Sequence, residues 1–216
     1  MTKKLYYNTV TPLLKSILLE LMATDEFLKF RLVGGTALSL HCGHRMSVDI
    51  DLFSDADYGT IDFEAIDSYL KAHYPYVDTL NLPVGMGKSY YIGQDERNAI
   101  KLDLYYTDPF IDEEIVIDNI RLATIEEIIA MKIDVVQRTG RKKDFWDLHE
   151  LKDKYTIKDM LSLHEKRYPY THDSETIVNN FTNFEKADQD FDPVCLRGNL
   201  WEFIKLDLID YVNQGY

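Results

Sequence analysis

The chain opens on a helical stripe. Leu13, Leu14, Ile17, Leu18 and Leu21 recur at three- and four-residue spacing behind Thr11-Pro12, and proline favours the first turn, so a helix is expected to begin there. Phe30-Arg31-Leu32-Val33 reads as a short buried strand ending at Gly34-Gly35, with a helix following over Thr36 to His41. From Met46 to Phe53 the period changes to two, the mark of a strand. Ile61 to His73 is amphipathic at helical spacing, and further strands, mostly antiparallel, are expected near Val77 to Leu82, Lys88 to Gly93, Ala99 to Tyr106 and Ile115 to Ile117. Thr124-Ile125-Glu126-Glu127 matches a capping box and opens a helix to about Gln137. Four more helices are expected over Lys143 to Lys154, Ile157 to Arg167, Ser174 to Lys186 and Asn199 to Asn213. The pattern predicts an α/β (α+β) chain: a mixed sheet with flanking helices over residues 1–122, then a helical domain over residues 123–216 that completes a cleft.

Composition narrows the function classes. The hydrophobic fraction of 45% and charged fraction of 28% describe an ordinary folded protein. No apolar run approaches the roughly 18 residues that span a bilayer, and the start Met1-Thr2-Lys3-Lys4-Leu5 leads into no secretory signal, so a cytoplasmic protein with no membrane partner is expected. A formal net charge of −13 excludes a broad electrostatic grip on nucleic acid. Arg138-Thr139-Gly140-Arg141-Lys142-Lys143 is a local exception, either a solvated helix connection or an anion site. The two cysteines, Cys42 and Cys195, suit a reducing compartment. His41-Cys42-Gly43-His44 lacks the second ligand cluster that structural zinc needs, so helix-end packing is the better reading.

The chemistry concentrates at two places. In the strand around Ile50, Val48, Ile50 and Leu52 face one way while Ser47, Asp49 and Asp51 face the other, with the aspartate Cα atoms about 6.5–7 Å apart. Adjacent carboxylates on a core strand are unfavourable unless a cation neutralises them, and Mg²⁺ (or Mn²⁺) suits oxygen ligands that also bridge to phosphate; an exposed acidic edge is the alternative. Gly34-Gly35, between strand and helix, lets backbone N–H groups approach an anion at a helix N-terminus, and Thr36 adds a hydroxyl. On the helix from Ile125, Lys132 falls within the stripe formed by Ile125, Ile128, Ile129, Val135 and Val136, so it either meets a counter-charge in a cleft or snorkels outward. Asp144 shares a face with Leu148 and Leu151, a second inward charge.

The segments Leu32-Val33-Gly34-Gly35-Thr36-Ala37-Leu38 and Gly43-His44-Arg45-Met46-Ser47-Val48-Asp49-Ile50-Asp51-Leu52-Phe53 resemble the signature of the AbiEii/AbiGii toxin family, within the polymerase-β-like nucleotidyltransferases. Arg141-Lys142-Lys143-Asp144-Phe145-Trp146-Asp147-Leu148 resembles the family's second block. The resemblance implies a nucleotidyltransferase fold, with catalytic Asp49, Asp51, Asp103, Lys132 and Asp144, and metal ligands Asp49, Asp51 and Asp103. It also implies nucleotide contacts from Gly34, Gly35, Thr36, Arg45, Ser47, Arg138 and Arg141. Asp103 fits a third carboxylate because Leu102 and Leu104 face the core beside it, although an exposed acidic position would look the same. For Asp144, Asp147 and Arg141 an interhelical ion pair is the competing reading. The implied activity is transfer of a nucleoside monophosphate from an NTP to RNA such as tRNA, to protein or to a small molecule. The implied setting is the toxin half of a toxin–antitoxin or abortive-infection pair with an antitoxin partner. A non-catalytic nucleotide- or antitoxin-binding module of the same fold, and a metal-dependent phosphohydrolase, are the alternatives.

Overall fold

A computed structural model describes residues 4–80 and 82–215. Thr11 caps the first helix, α1 (Pro12–Met22), accepting a hydrogen bond from the Leu14 N–H, as the Thr-Pro pair predicts. Strand β1 (Arg31–Leu32) leads directly into α2 (Gly34–Cys42), which ends at Gly43 in the left-handed conformation, its N–H bonded to the Ser39 carbonyl. Then come β2 (Asp49–Ser54), α3 (Phe63–His73, capped by Asp62), β3 (Tyr76–Thr79), β4 (Gly87–Asp95) and β5 (Asn98–Tyr106). A hairpin, β6 (Ile115–Ile117) and β7 (Ile120–Leu122), precedes the helices α4 (Ile125–Gln137), α5 (Lys142–Leu151), α6 (Ile157–Arg167), α7 (Ser174–Phe181) and α8 (Trp201–Gly215).

The strands form one sheet in the order β3-β4-β5-β2-β1-β7-β6. Most neighbours are antiparallel, but β2 runs parallel to β5 and β1 parallel to β7. The β2–β5 pairing matters most for function, because it sets Asp51 directly across from Asp103 and Asp49 across from Lys101. Alternation along both strands buries Ile50, Leu52, Leu102 and Leu104 on one face and turns the charged residues to the other.

Several expectations are corrected. Strand β2 begins at Asp49 rather than Met46, because the Met46 and Ser47 N–H groups are diverted to the Val194 and Thr9 carbonyls; Val48 is 60% exposed instead of facing the core. Strand β7 is too short to carry a periodic signal of its own and was not expected. Strand β3 ends at Thr79, short of the expected Leu82, and Asn81 lies outside the described residues, as do Met1 to Lys3 of the expected leaderless start. Helix α7 stops at Phe181, and Ala187–Gln189 forms a separate 3-10 turn.

The capping box on α4 is half present. Thr124 accepts from the Glu127 N–H, but the Glu127 carboxylate does not turn back. It accepts the Ile111 N–H at 2.7 Å and pairs with Arg167 of α6, both side chains fully buried. Arg167 also donates to the Pro109 carbonyl and the Thr107 hydroxyl, so this pair ties two helices to the chain leaving β5. Among the described residues no helix is long and apolar enough to cross a membrane.

Candidate active site

A cavity of about 710 Å³ lies between the charged face of the sheet and the helices α4 and α5, within the usual size for a small-molecule site. Its floor is Asp49, Asp51 and Asp103, its rim Gly34 and Gly35, and its roof Lys132, Lys143 and Asp144. Lys101, Arg138, Arg141 and Tyr168 line it as well.

Both glycines are required by close approach. Gly34 has φ of +67°, and a Cβ there would stand 2.6 Å from Asp51 Oδ2. A Cβ on Gly35 would stand 2.4 Å from Arg45 Nη2. Val33 offers α2 no side-chain cap, and Val33, Gly34 and Gly35 at the start of that helix line the cavity, which places the positive end of the helix dipole there. Thr36 and Ser47 do not line this cavity. Their hydroxyls are buried and bonded to each other at 2.8 Å, with Thr36 also bonded to the Asp49 carbonyl; they lock the start of α2 to β2 from behind.

Arg45 is likewise placed behind the cavity. Its Nε and Nη2 donate to the two oxygens of Asp147 at 2.6 and 2.8 Å, and its Nη1 donates to the Met46 carbonyl. Asp147 is fully buried and also meets His44 Nε2 and Lys132 Nζ, each at 2.8 Å. Lys132, 6% exposed, holds Asp144 Oδ1 at 2.6 Å, while Asp144 Oδ2 accepts the Arg141 N–H and so closes the start of α5. Lys132 therefore meets a counter-charge instead of snorkelling, and the interhelical pairing of Asp144 and Asp147 is realised around it. Burial opposes the Lys132 charge, but Asp144 and Asp147 outweigh it and hold its pKa above the ordinary lysine value. Burial would lift Asp147, yet Arg45 and Lys132 hold it well below the carboxylate range. Asp144 is lowered in the same way by Lys132. The network keeps a charged lysine fixed over the sheet at neutral pH.

The floor is different. Asp51 is pushed up to about 6, first by burial and then by the charges of Asp103 and Asp49. Asp103 Oδ2 pairs with Lys101, while its Oδ1 is buried without a hydrogen-bond partner. Asp49 faces Lys143 Nζ at 3.5 Å. Among the described residues no three acidic, histidine or cysteine side chains are gathered tightly enough to cage an ion as they stand. The donor set nevertheless suits a hard divalent cation: three carboxylates on one face, one with an orphaned oxygen and one whose ionisation is opposed by burial and by its two carboxylate neighbours.

Arg138 and Arg141 reach the rim, Arg138 largely exposed and paired to Asp134. Lys101, Lys143 and Tyr168 were not expected in the site. Lys101 was legible, since a residue two positions from Asp103 on a strand shares its face; Tyr168 carried no such signal. His41 and His44 pack as a helix end should: His41 Nε2 meets the Ala123 carbonyl at 3.0 Å, and His44 meets Asp147.

A second groove, of about 380 Å³, shares Asp49, Arg141 and Lys143 with the cavity. One wall is the segment entering β2; the other is the chain around Phe191, whose ring is 100% exposed. That chain is strapped down by the Met46 and Leu196 N–H groups bonding to the Val194 and His44 carbonyls, and by Lys142 bonding Asp190 and Asp192.

Residues 16–209 match the family profile described as "Nucleotidyl transferase AbiEii toxin, Type IV TA system". An uncharacterized protein of Aquifex aeolicus is 29% identical over 171 residues, spanning 74% of this chain and 76% of that protein. Among solved structures, a candidate nucleotidyltransferase from H. pylori superposes with a TM-score of 0.60 at 22% identity, covering 93% of this chain and 90% of its own. MenT4, a nucleotidyltransferase toxin from Mycobacterium tuberculosis, superposes with a TM-score of 0.55 at 15% identity over 90% of this chain and 83% of its own. At these identities the solved structures establish a shared fold.

Proposed function

The chain belongs to the AbiEii nucleotidyltransferase toxin family of type IV toxin–antitoxin systems and is a nucleotidyltransferase; on that premise we propose that it moves a nucleoside monophosphate from an NTP onto an RNA hydroxyl, with a divalent cation. The observation that carries this reading is the register of β2 against β5, which sets Asp51 beside Asp103 under the N-terminus of α2 and opposite Lys132.

Asp49, Asp51 and Asp103 would hold Mg²⁺ (or Mn²⁺). That ion, when bound, would offset the negative charge of the triphosphate. The N–H groups at Gly34 and Gly35 would receive the phosphates, supported by the partial positive charge of the α2 N-terminus that lines the cavity. Lys132, oriented by Asp144 and Asp147, stands over the charge that grows at the reacting phosphorus, and Lys143, Arg138 and Arg141 supply further cations at the rim. Arg45, Thr36 and Ser47 act one step back, by fixing Asp147 and the α2 start.

In the transfer the acceptor oxygen attacks the α-phosphorus, the bond to the β-phosphate oxygen breaks, and pyrophosphate leaves with that electron pair. The hydroxyl proton would pass to a carboxylate, for which Asp103, on the cavity floor, is the candidate. The acceptor enters by the second groove, since it meets the cavity at Asp49 and offers Arg141 and Lys143 to a phosphate and Phe191 to a base. The groove also carries Asp49, Asp190 and Asp192, so an RNA held there would find its cations at Arg141 and Lys143, where the groove meets the cavity. The family also implies an antitoxin counterpart.

The test is incubation with Mg²⁺, each α-labelled NTP, total tRNA and cell protein, comparing wild type with Asp49→Ala. Label transfer to RNA that disappears in the variant is the expected result. Tight NTP binding with no pyrophosphate release would return the chain to a binding module, and label on protein would replace the acceptor.

A further inference from the structure

The carboxylate face carries a cation of its own. Across β2 and β5, Asp49 pairs in register with Lys101 and Asp51 with Asp103, so four charged side chains form a two-by-two block, three negative and one positive. Lys101 does not reach across to Asp49. It runs along its own strand to Asp103 Oδ2, and the pairing outweighs the burial that opposes its charge. Lys143, from the start of α5, stands 3.5 Å from Asp49 Oδ2. Among the described residues Asp51 has no ion-pair partner. Both lysines line the cavity with about a third of the side chain exposed, 35% for Lys101 and 34% for Lys143, so each has room to swing.

We propose that Lys101 is an exchangeable stand-in cation, which holds Asp103 while the site is empty and moves to the triphosphate when a divalent cation arrives with the nucleotide. This rests on the metal–nucleotide reading of the site given above. The physical reason is a balance of charge. A divalent cation arriving alone must displace an ammonium from Asp103 and then remain beside it, with no anion to receive it. A cation arriving with a triphosphate brings that anion, and the displaced lysine gains phosphate oxygens in exchange for the carboxylate. Cation and nucleotide therefore bind cooperatively, and linkage makes the effect reciprocal. Lys101 acts as a positioning and coupling residue and takes no proton in the reaction.

The experiment measures Mn²⁺ binding to the full chain by electron paramagnetic resonance, alone and with the α,β-methylene analogues of the four NTPs, which block transfer. For wild type, the analogue that binds raises Mn²⁺ affinity by about tenfold or more. Lys101→Met binds Mn²⁺ alone about five- to tenfold tighter than wild type and loses most of the gain from nucleotide. Lys101→Arg keeps the charge and behaves as wild type, and Lys101→Gln repeats the test should the methionine variant misfold. A lysine that merely stays beside Asp103 would also let Mn²⁺ bind tighter on removal, by lifting repulsion, but would leave the nucleotide gain intact, so the loss of that gain is the deciding readout. If Lys101→Met and Lys101→Gln bind free Mn²⁺ no tighter than wild type, or keep the full nucleotide gain, the inference is wrong and the carboxylate site stands. If no protein binds Mn²⁺ under any condition, the reading of the site falls with it.

Discussion

Replacing Asp51 by asparagine should disable the protein while making its cation-free form more stable. Asp51 stands at about 6 against an ordinary value of 3.8, raised by burial and by Asp103 and Asp49. A displacement of about two units corresponds to about 3 kcal/mol of destabilisation once the group is ionised. The sign follows from proton linkage: between about pH 4 and 6 the folded state holds the proton that the unfolded state has released, so the stability of the wild type falls as pH rises through that window and is level above it. Asparagine has no such titration. In EDTA at about pH 7.5 Asp51→Asn should therefore exceed wild type by about 3 kcal/mol, or about 6–12 °C in Tm for a chain of this size, and the gap should close below about pH 4. Mg²⁺ should narrow the gap by raising the wild type alone. Urea titrations across this pH range, with and without Mg²⁺, measure all three effects. A variant no more stable than wild type at neutral pH, or a gap that ignores pH, would refute the reasoning.

Asp147→Ala leaves Arg45, Lys132 and His44 around an empty buried site and should cost about 3–5 kcal/mol in urea unfolding; a loss under about 1 kcal/mol would deny the network its structural weight. Because the Asp147 pKa is depressed, wild type should keep this contribution above about pH 4 and lose it only in stronger acid, as acid-unfolding curves would record. Gly34→Ala puts a side chain at φ of +67° against Asp51 and should cost about 1–2 kcal/mol while removing NTP turnover; retained turnover would dissociate the turn from the site. Glu127→Gln unpairs buried Arg167 from α4 and should lower Tm by about 6 °C or more, read by calorimetry, with NTP binding weakened through the loosened cavity rim.

Much of this protein was legible in its residues. Periodicity together with local start signals, Pro12 for α1 and the Thr124 capping pattern for α4, marked α1, α4 and α6 nearly to their ends, because an apolar stripe and a cap need no distant partner to be recognised. The alternation around Ile50 marked two carboxylates on one face, and Gly34-Gly35 marked a turn of close approach, since both are properties of a few adjacent residues. What chain neighbours could not decide was pairing. That β2 lies parallel to β5, so that Asp103 and Lys101 join Asp49 and Asp51, depends on two strands 52 positions apart being hydrogen bonded in one register. Arg45 read as a phosphate contact because its motif neighbours are; only the fold, which brings Asp147 of α5 against it, turned it into a buried support. Glu127 fitted a capping box by spacing, and a buried arginine from α6 outcompeted the backbone for its carboxylate. Local pattern determined which elements and which chemical groups this chain possesses. Tertiary structure decided which charges face one another, because Coulombic partners are chosen by distance in space and by the loss of water around them.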